Sequence, residues 1–191
     1  MRFVLAAALV LVLGACERLP DEAPRATPQS ACTHHASHEL SWTSESAPDV
    51  VTASSEGPTC GQAIVTLTIR NASGDPLWTM ATTYYDMSIG GRGPEEPPAV
   101  SEADMQAFLD RWSNVAINHT SDLPEWREGA AQPAAADSTI SYNTAFDRET
   151  YETLRARNLP QACLAVATAA TQCLVIDPMT NSPAVIVAFG E

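Results

Sequence analysis

The sequence predicts an α+β domain in which an antiparallel β-hairpin and a β-meander pack with two α-helices and are stabilised by disulfides. Three observations predict this class. Apolar and polar residues alternate through 63–70, apolar residues recur at helical spacing through 102–114, and four cysteines follow residue 31. Alternation is typical of a half-buried strand, and spacings of three and four residues are typical of an amphipathic helix.

The hairpin is predicted at 63–85. Within 63–70, the residues Ala63, Val65, Leu67 and Ile69 share one face and their polar neighbours share the other, as in an antiparallel strand with one buried side. Residues 71–76 read Asn-Ala-Ser-Gly-Asp-Pro and are dense in turn formers. Residues 77–85, rich in Trp, Thr and Tyr, are predicted to return as the second strand. Two earlier segments, 39–43 and 50–54, are weakly strand-like.

Two helices are predicted by periodicity and capping. In 102–114 the apolar residues Met105, Phe108, Leu109 and Trp112 form one stripe, and Ser101 is the expected N-cap. In 148–157 the expected N-cap is Asp147, and Pro160 ends the element.

The connections are predicted from Gly and Pro content. Residues 88–100 contain three glycines and three prolines and are predicted to be an exposed loop. Gly90-Gly91-Arg92-Gly93 lacks the Lys-Ser/Thr end of a phosphate-binding loop. Residues 117–137 are predicted to be a long irregular connection, and 138–143 a short strand.

The C-terminal meander consists of three predicted strands, at 162–167, 171–176 and 184–189. Symmetric spacing about residue 168 places Cys163 opposite Cys173, within reach of a cross-strand disulfide. Four cysteines in an oxidising compartment predict two disulfides, for which three connectivities exist. The local pairing, Cys32 with Cys60 and Cys163 with Cys173, is favoured. A zinc site competes with this interpretation, but neither pair has C-x-x-C spacing.

The first sixteen residues have the pattern expected of an export signal. Arg2 is followed by the apolar run 3–13 and then by Gly14, Ala15 and Cys16. The run is shorter than the roughly 20 residues that span a bilayer. Leu13-Gly14-Ala15-Cys16 resembles the lipobox of bacterial lipoproteins.

This resemblance implies that 1–15 are a cleaved signal peptide and that Cys16 carries a diacylglycerol and an N-acyl chain such as palmitate. Glu17, in place of the aspartate that retains many lipoproteins in the inner membrane, then favours the outer membrane. Residues 16–31, with three prolines, are predicted to be the lipidated cysteine and a flexible tether, and 32–191 a single periplasmic domain.

The charge composition disfavours some classes of binding partner. The formal net charge is -13. All 10 basic residues are arginines, and the sequence contains no lysine. Nucleic acids and anionic lipid surfaces are poor partners for such a chain. Its acidity serves solubility or complements a basic protein partner.

A metal site is an alternative. His34, His35 and His38 fall within five residues, and three imidazoles suit zinc, copper or nickel. The competing interpretation is a solvated polar segment beside a disulfide. Because His38-Glu39 is not completed by a second histidine, the H-E-x-x-H metalloprotease motif is excluded.

The sequence favours a non-catalytic module over an enzyme. It contains no G-x-S-x-G nucleophile motif. His119, with Asp122 or Asp137, is the candidate base, and scattered carboxylates leave a carboxylate-dependent hydrolase as a further alternative. Trp126, between Pro124 and Arg127, is the candidate aromatic for partner binding. We therefore expect a membrane-anchored, envelope-associated lipoprotein that binds a protein partner, with periplasmic metal binding as the second hypothesis.

Overall fold

A computed structural model describes residues 31–89, 99–135 and 139–190. In these residues the chain forms two antiparallel sheets, three α-helices and two disulfides, which confirms the predicted α+β class. Cys16, the tether up to residue 30, the segment Gly90–Gly93 and Asp137 lie outside the described residues. No helix of the described part is long and apolar enough to cross a membrane.

The first sheet has four strands that follow one another in chain order, namely β1 (His34–Leu40), β2 (Asp49–Glu56), β3 (Ile64–Arg70) and β4 (Pro76–Thr83). The predicted hairpin is β3 and β4, in which Leu67 lies opposite Met80. Val65, Leu67 and Ile69 are fully buried on the inner face, as the alternation predicts. β1 begins five residues before its predicted start, so that the histidine segment belongs to this sheet.

The helices are α1 (Tyr84–Ile89), α2 (Glu102–Ser113) and α3 (Arg148–Ala156). α2 and α3 confirm the predicted elements and their N-caps. Ser101 accepts a hydrogen bond from the backbone N–H of Asp104, and Asp147 accepts one from that of Thr150. α2 packs its stripe across β1 and β2, with Met105 and Leu109 fully buried.

α1 corrects the sequence interpretation, which extended a strand to residue 85 and began a loop at 88. The chain turns into a helix at Tyr84 because the Thr83 hydroxyl accepts the backbone N–H of Asp86 and donates to its carboxylate. This Thr-x-x-Asp spacing is an N-terminal capping signal. The sequence predicted a strand here instead of a helix, because the residues around this signal have high β-propensity.

The second sheet has five strands in the order β5-β7-β8-β9-β6. They are β5 (Ala116–His119), β6 (Ser141–Asn143), β7 (Pro160–Ala167), β8 (Ala170–Asp177) and β9 (Ser182–Gly190). The last three confirm the meander. The predicted irregular connection is wrong at its start, because β5 pairs with β7 there and sets Asn118 opposite Gln161.

The second sheet separates two cores. On one face, Leu164 and Leu174 pack with α2 and with the inner face of the first sheet. On the other face, Val175 and Val187 pack with Tyr151 and Leu154 of α3. The meander is therefore buried on both sides.

Candidate functional site

Both disulfides have the predicted partners. Cys32 bonds to Cys60 across 28 residues, and Cys163 bonds to Cys173 across 10 residues. Cys163 and Cys173 are directly paired in the β7–β8 register, with 4.1 Å between their Cα atoms. The pairing that the symmetric spacing in the sequence favoured is therefore confirmed.

The three clustered histidines do not converge. Because side chains alternate along β1, His34 and His38 lie on the inner face and His35 lies on the exposed outer face. Four residues of strand also separate the Cα atoms of His34 and His38 by about 13 Å. The helical arrangement that would place them side by side is not formed, and one ion cannot be held by all three in this strand.

The two inner histidines have different surroundings. His38 Nδ1 lies 2.9 Å from Ser113 Oγ at the end of α2. His34 lies beside the first disulfide, where one ring nitrogen and the sulfurs of Cys32 and Cys60 are all within 4.8 Å of one another. Imidazole is thus grouped with sulfur here, a combination that the linear cluster of histidines did not indicate.

Trp126 is part of the second core. It is 9% exposed, its indole N–H donates to the Ala130 carbonyl at 2.9 Å, and its ring meets Tyr151 edge-on with centroids 5.8 Å apart. Its backbone N–H donates to the Glu152 carboxylate. These contacts assign Trp126 to packing, and its burial leaves little surface for the partner contact expected from the sequence.

His119 and Asp122 are linked by a hydrogen bond from the His119 backbone. The bond between them runs from the His119 backbone N–H to the Asp122 carboxylate, at 3.0 Å. Other carboxylates also have structural partners: Asp49 holds the backbone N–H groups of Trp42 and Thr43, and Asp104 holds Ser101. The hydrogen bonds from Ser101 keep the pKa of Asp104 below its ordinary value.

A cavity of about 250 Å³ lies on the α3 side of the second sheet, over the Cys163–Cys173 disulfide. We call it the Gln161 cavity. Its lining residues come from all five strands and from the segment after β5, namely Asn118, Asp122, Leu123, Pro124, Tyr142, Gln161, Cys163, Cys173 and Phe189. Buried residues such as Gln161 and Cys173 lie at its base, and the exposed Asp122 lies at its rim.

Gln161 is the unusual member of this lining. The side chain is 2% exposed, and its Nε2 donates to the His119 carbonyl at 2.9 Å. Its Oε1 is buried and has no hydrogen-bond partner among the described residues. In the same lining, the rings of Tyr142 and Phe189 pack with centroids 5.3 Å apart. The cavity thus offers acceptor oxygens and aromatic surface, and its lining contains no Arg or His.

Sequence reasoning missed this site, because its residues are spread from 118 to 189. One local signal exists, since Gln161 directly precedes the strand predicted at 162–167 and is in phase with Cys163, and the other residues of β7 are nearly all apolar. A polar residue on a buried face of a strand indicates either a buried hydrogen bond or a binding function.

Comparison of the chain with family models, with curated proteins and with solved structures found no match.

Proposed function

We propose that this protein is a lipid-anchored domain of the bacterial envelope, held at the periplasmic face of the outer membrane, and that it acts by binding a basic protein partner. The observation that carries the proposal is the presence of two disulfides behind a lipobox-like leader. Disulfides of this kind form and persist in oxidising compartments such as the periplasm.

The anchor and tether define the reach of the domain. Acyl chains on Cys16 provide stable membrane attachment without a spanning helix, because two or more chains act together. The tether predicted at 16–31 would place the domain roughly 20 Å from the lipid surface. Its negative charge keeps the domain off anionic headgroups, so that it remains accessible to proteins.

The charge supports a basic partner. A formal net charge of -13 in a chain without lysine accelerates encounter with positively charged proteins and suppresses binding to acidic ones. Such association weakens as the salt concentration rises, because exposed charges are screened.

Intact mass spectrometry of the protein extracted from membranes tests the anchor. The expected species begins at an acylated Cys16 and lacks four hydrogens relative to the fully reduced chain. Cys16→Ser should release the protein from the membrane fraction. An unmodified Cys16, or reduced thiols in the native protein, contradicts the proposal.

Crosslinking in intact cells followed by purification tests partner binding. The expected partner is a basic envelope protein that the wild-type chain retains at low salt and loses at about 0.5 M salt, where the Debye length is only a few ångströms. A partner retained equally at both salt concentrations contradicts the electrostatic part of the proposal.

A second candidate function, metal binding, is favoured by the proximity of His34 to Cys32 and Cys60. In the oxidised domain the two sulfurs are bonded to each other. A dithiol reductant would supply two electrons and two protons to give two thiols, which lose their protons on binding zinc or Cu(I). Two thiolates and one imidazole leave a fourth position for water, as in open zinc sites.

The matched test compares His34→Ala with His35→Ala under reducing, anaerobic conditions. We expect the reduced protein to bind one zinc ion, His34→Ala to bind it at least about 10-fold more weakly, and His35→Ala to match the wild type. Equal zinc affinity of the oxidised and reduced proteins contradicts this candidate.

A further inference from the structure

Gln161, a lining residue of the Gln161 cavity, carries a buried acceptor without a donor. Buried polar atoms are nearly always hydrogen-bonded in folded proteins, yet Gln161 Oε1 has no partner in the described part of the chain. The amide cannot flip to satisfy it, because its Nε2 already donates to the His119 carbonyl and a flip would place two oxygens together. An N–H or O–H group on an occupant of the cavity would satisfy this acceptor.

The rim of the cavity favours a cation. One oxygen of Asp122 accepts the His119 backbone N–H, and a carboxylate has further lone pairs for other donors. No Arg or His lines the cavity, and the chain as a whole is strongly acidic. A charged N–H donor is attracted by this field and forms stronger hydrogen bonds than a neutral donor does.

The aromatic wall of the cavity, formed by Tyr142 and Phe189, and the small cavity volume favour one kind of side chain as the occupant. Tyr142 and Phe189 line the same cavity, and aromatic faces attract cations. A guanidinium group is planar, stacks on such faces, gives up its hydration more readily than an ammonium, and offers five N–H donors to separate acceptors. The cavity of about 250 Å³ is smaller than the roughly 300–1,000 Å³ typical of drug-sized ligand sites, and suits one side chain.

We propose that the Gln161 cavity binds the guanidinium group of an arginine side chain on the protein partner, with donors directed at Gln161 Oε1 and Asp122 and the plane against the aromatic wall. This inference rests on the proposed partner-binding function and names the chemistry by which the partner is recognised.

The direct test is an NMR titration of the oxidised mature chain with N-acetyl-arginine amide. The side-chain amide resonance of Gln161, assigned by its loss in Gln161→Leu, is the site-specific readout. N-acetyl-citrulline amide has nearly the same shape without the charge. We expect the arginine compound to shift the Gln161 resonance and to bind at least about 10-fold more tightly than the citrulline compound, as for the loss of one charge-assisted contact.

Other results overturn the inference. Equal affinity for the two compounds removes the role of charge, and equal affinity for N-acetyl-lysine amide removes the preference for a guanidinium. Saturable binding that leaves the Gln161 resonance unmoved places the arginine elsewhere on the surface. No binding at concentrations up to tens of millimolar leaves water as the donor to Gln161 Oε1.

A matched pair of variants tests the carboxylate. Asp122→Asn keeps an oxygen for the His119 N–H but removes the charge, and we expect it to weaken the arginine compound about 5- to 10-fold. Asp110→Asn makes the same change in net charge on the exposed side of α2, and should leave affinity unchanged. Equal weakening by both variants shows a diffuse charge effect and overturns the assigned site.

Partner retention separates this inference from the proposed function. If the wild type and Asp122→Asn retain the partner equally, and the arginine compound does not bind, the cavity assignment fails while partner binding stands. If the arginine compound binds at Gln161 and no partner is recovered from cells, the cavity assignment stands and the proposed function fails.

Discussion

Ser113 at the end of α2 is bonded to His38 on β1. His38 Nδ1 lies 2.9 Å from Ser113 Oγ, and the fully buried Ser113 hydroxyl also lies 2.8 Å from the Leu109 carbonyl of its own helix. A hydroxyl has one hydrogen to donate, and a carbonyl can only accept. Ser113 therefore donates to Leu109, and His38 Nδ1–H donates to Ser113, which fixes the ring tautomer and fastens α2 to the edge of the first sheet.

Ser113→Ala is expected to lower the free energy of unfolding by about 1–2 kcal/mol, because it leaves the His38 N–H without a partner at a partly buried position. Urea denaturation of the oxidised protein measures this change. His35→Ala, on the exposed face of the same strand, is the control and should alter stability by no more than about 0.5 kcal/mol. Losses of equal size in the two variants would argue against the hydrogen bond.

The two disulfides are expected to contribute unequally. The chain-entropy relation predicts about 3.6 kcal/mol for a 28-residue loop and about 2.7 kcal/mol for a 10-residue loop, the separations found for Cys32–Cys60 and Cys163–Cys173. The double variants Cys32→Ala/Cys60→Ala and Cys163→Ala/Cys173→Ala test this order by urea denaturation. A larger loss from the second pair would show that β7–β8 packing, and not loop closure, dominates.

Acid should destabilise the domain partly through Asp147. The N–H groups at the start of α3, above all that of Thr150, hold the pKa of this carboxyl below its ordinary value. A lowered pKa means that the stabilisation is complete above the unfolded pKa of about 3.9 and is lost as the pH falls through the folded pKa. Asp147→Asn keeps a good N-cap but cannot titrate. Urea midpoints measured from pH 6 to pH 2 should therefore fall less steeply for this variant, and identical slopes would remove the role of Asp147.

Alkali should act through Tyr151. Burial, together with the Glu152 carboxylate, raises the pKa of its hydroxyl well above the ordinary value. The neutral phenol donates to the Pro124 carbonyl at 2.8 Å. The stabilisation is thus complete below the unfolded pKa of about 10 and is lost progressively as the pH rises above it. The chain has no lysine, so no lysine ammonium group titrates in this range.

The control for Tyr151 is a phenylalanine at the same position. Tyr151→Phe should lose about 1 kcal/mol at pH 8, from the unpaired Pro124 carbonyl, and should show a smaller further loss between pH 9 and 11. Ultraviolet absorbance of the folded wild type and of Tyr151→Phe should show the same rise in tyrosinate up to pH 11, because Tyr151 stays neutral in the folded protein. A larger rise in the wild type would contradict the assigned burial.

Sequence alone determined the elements whose signals are local. The alternation in β3, the stripe and Ser101 cap of α2, the Asp147 cap of α3 and the pairing of Cys163 with Cys173 all depend on residues a few positions apart or symmetric about one turn. Such signals can be recognised in the sequence because the periods of helices and strands are set by backbone geometry.

Only the tertiary structure decided which residues meet across the fold. It divided the histidine segment between two faces of β1, buried Trp126 beneath α3, and paired β5 with β7. That pairing brought Asn118 and Asp122 to Gln161, and β6 and β9 brought Tyr142 and Phe189. Strand order and register between distant segments depend on how the whole core packs, and a shift of one residue reverses the face of every side chain. For that reason the Gln161 cavity exists only in the folded chain.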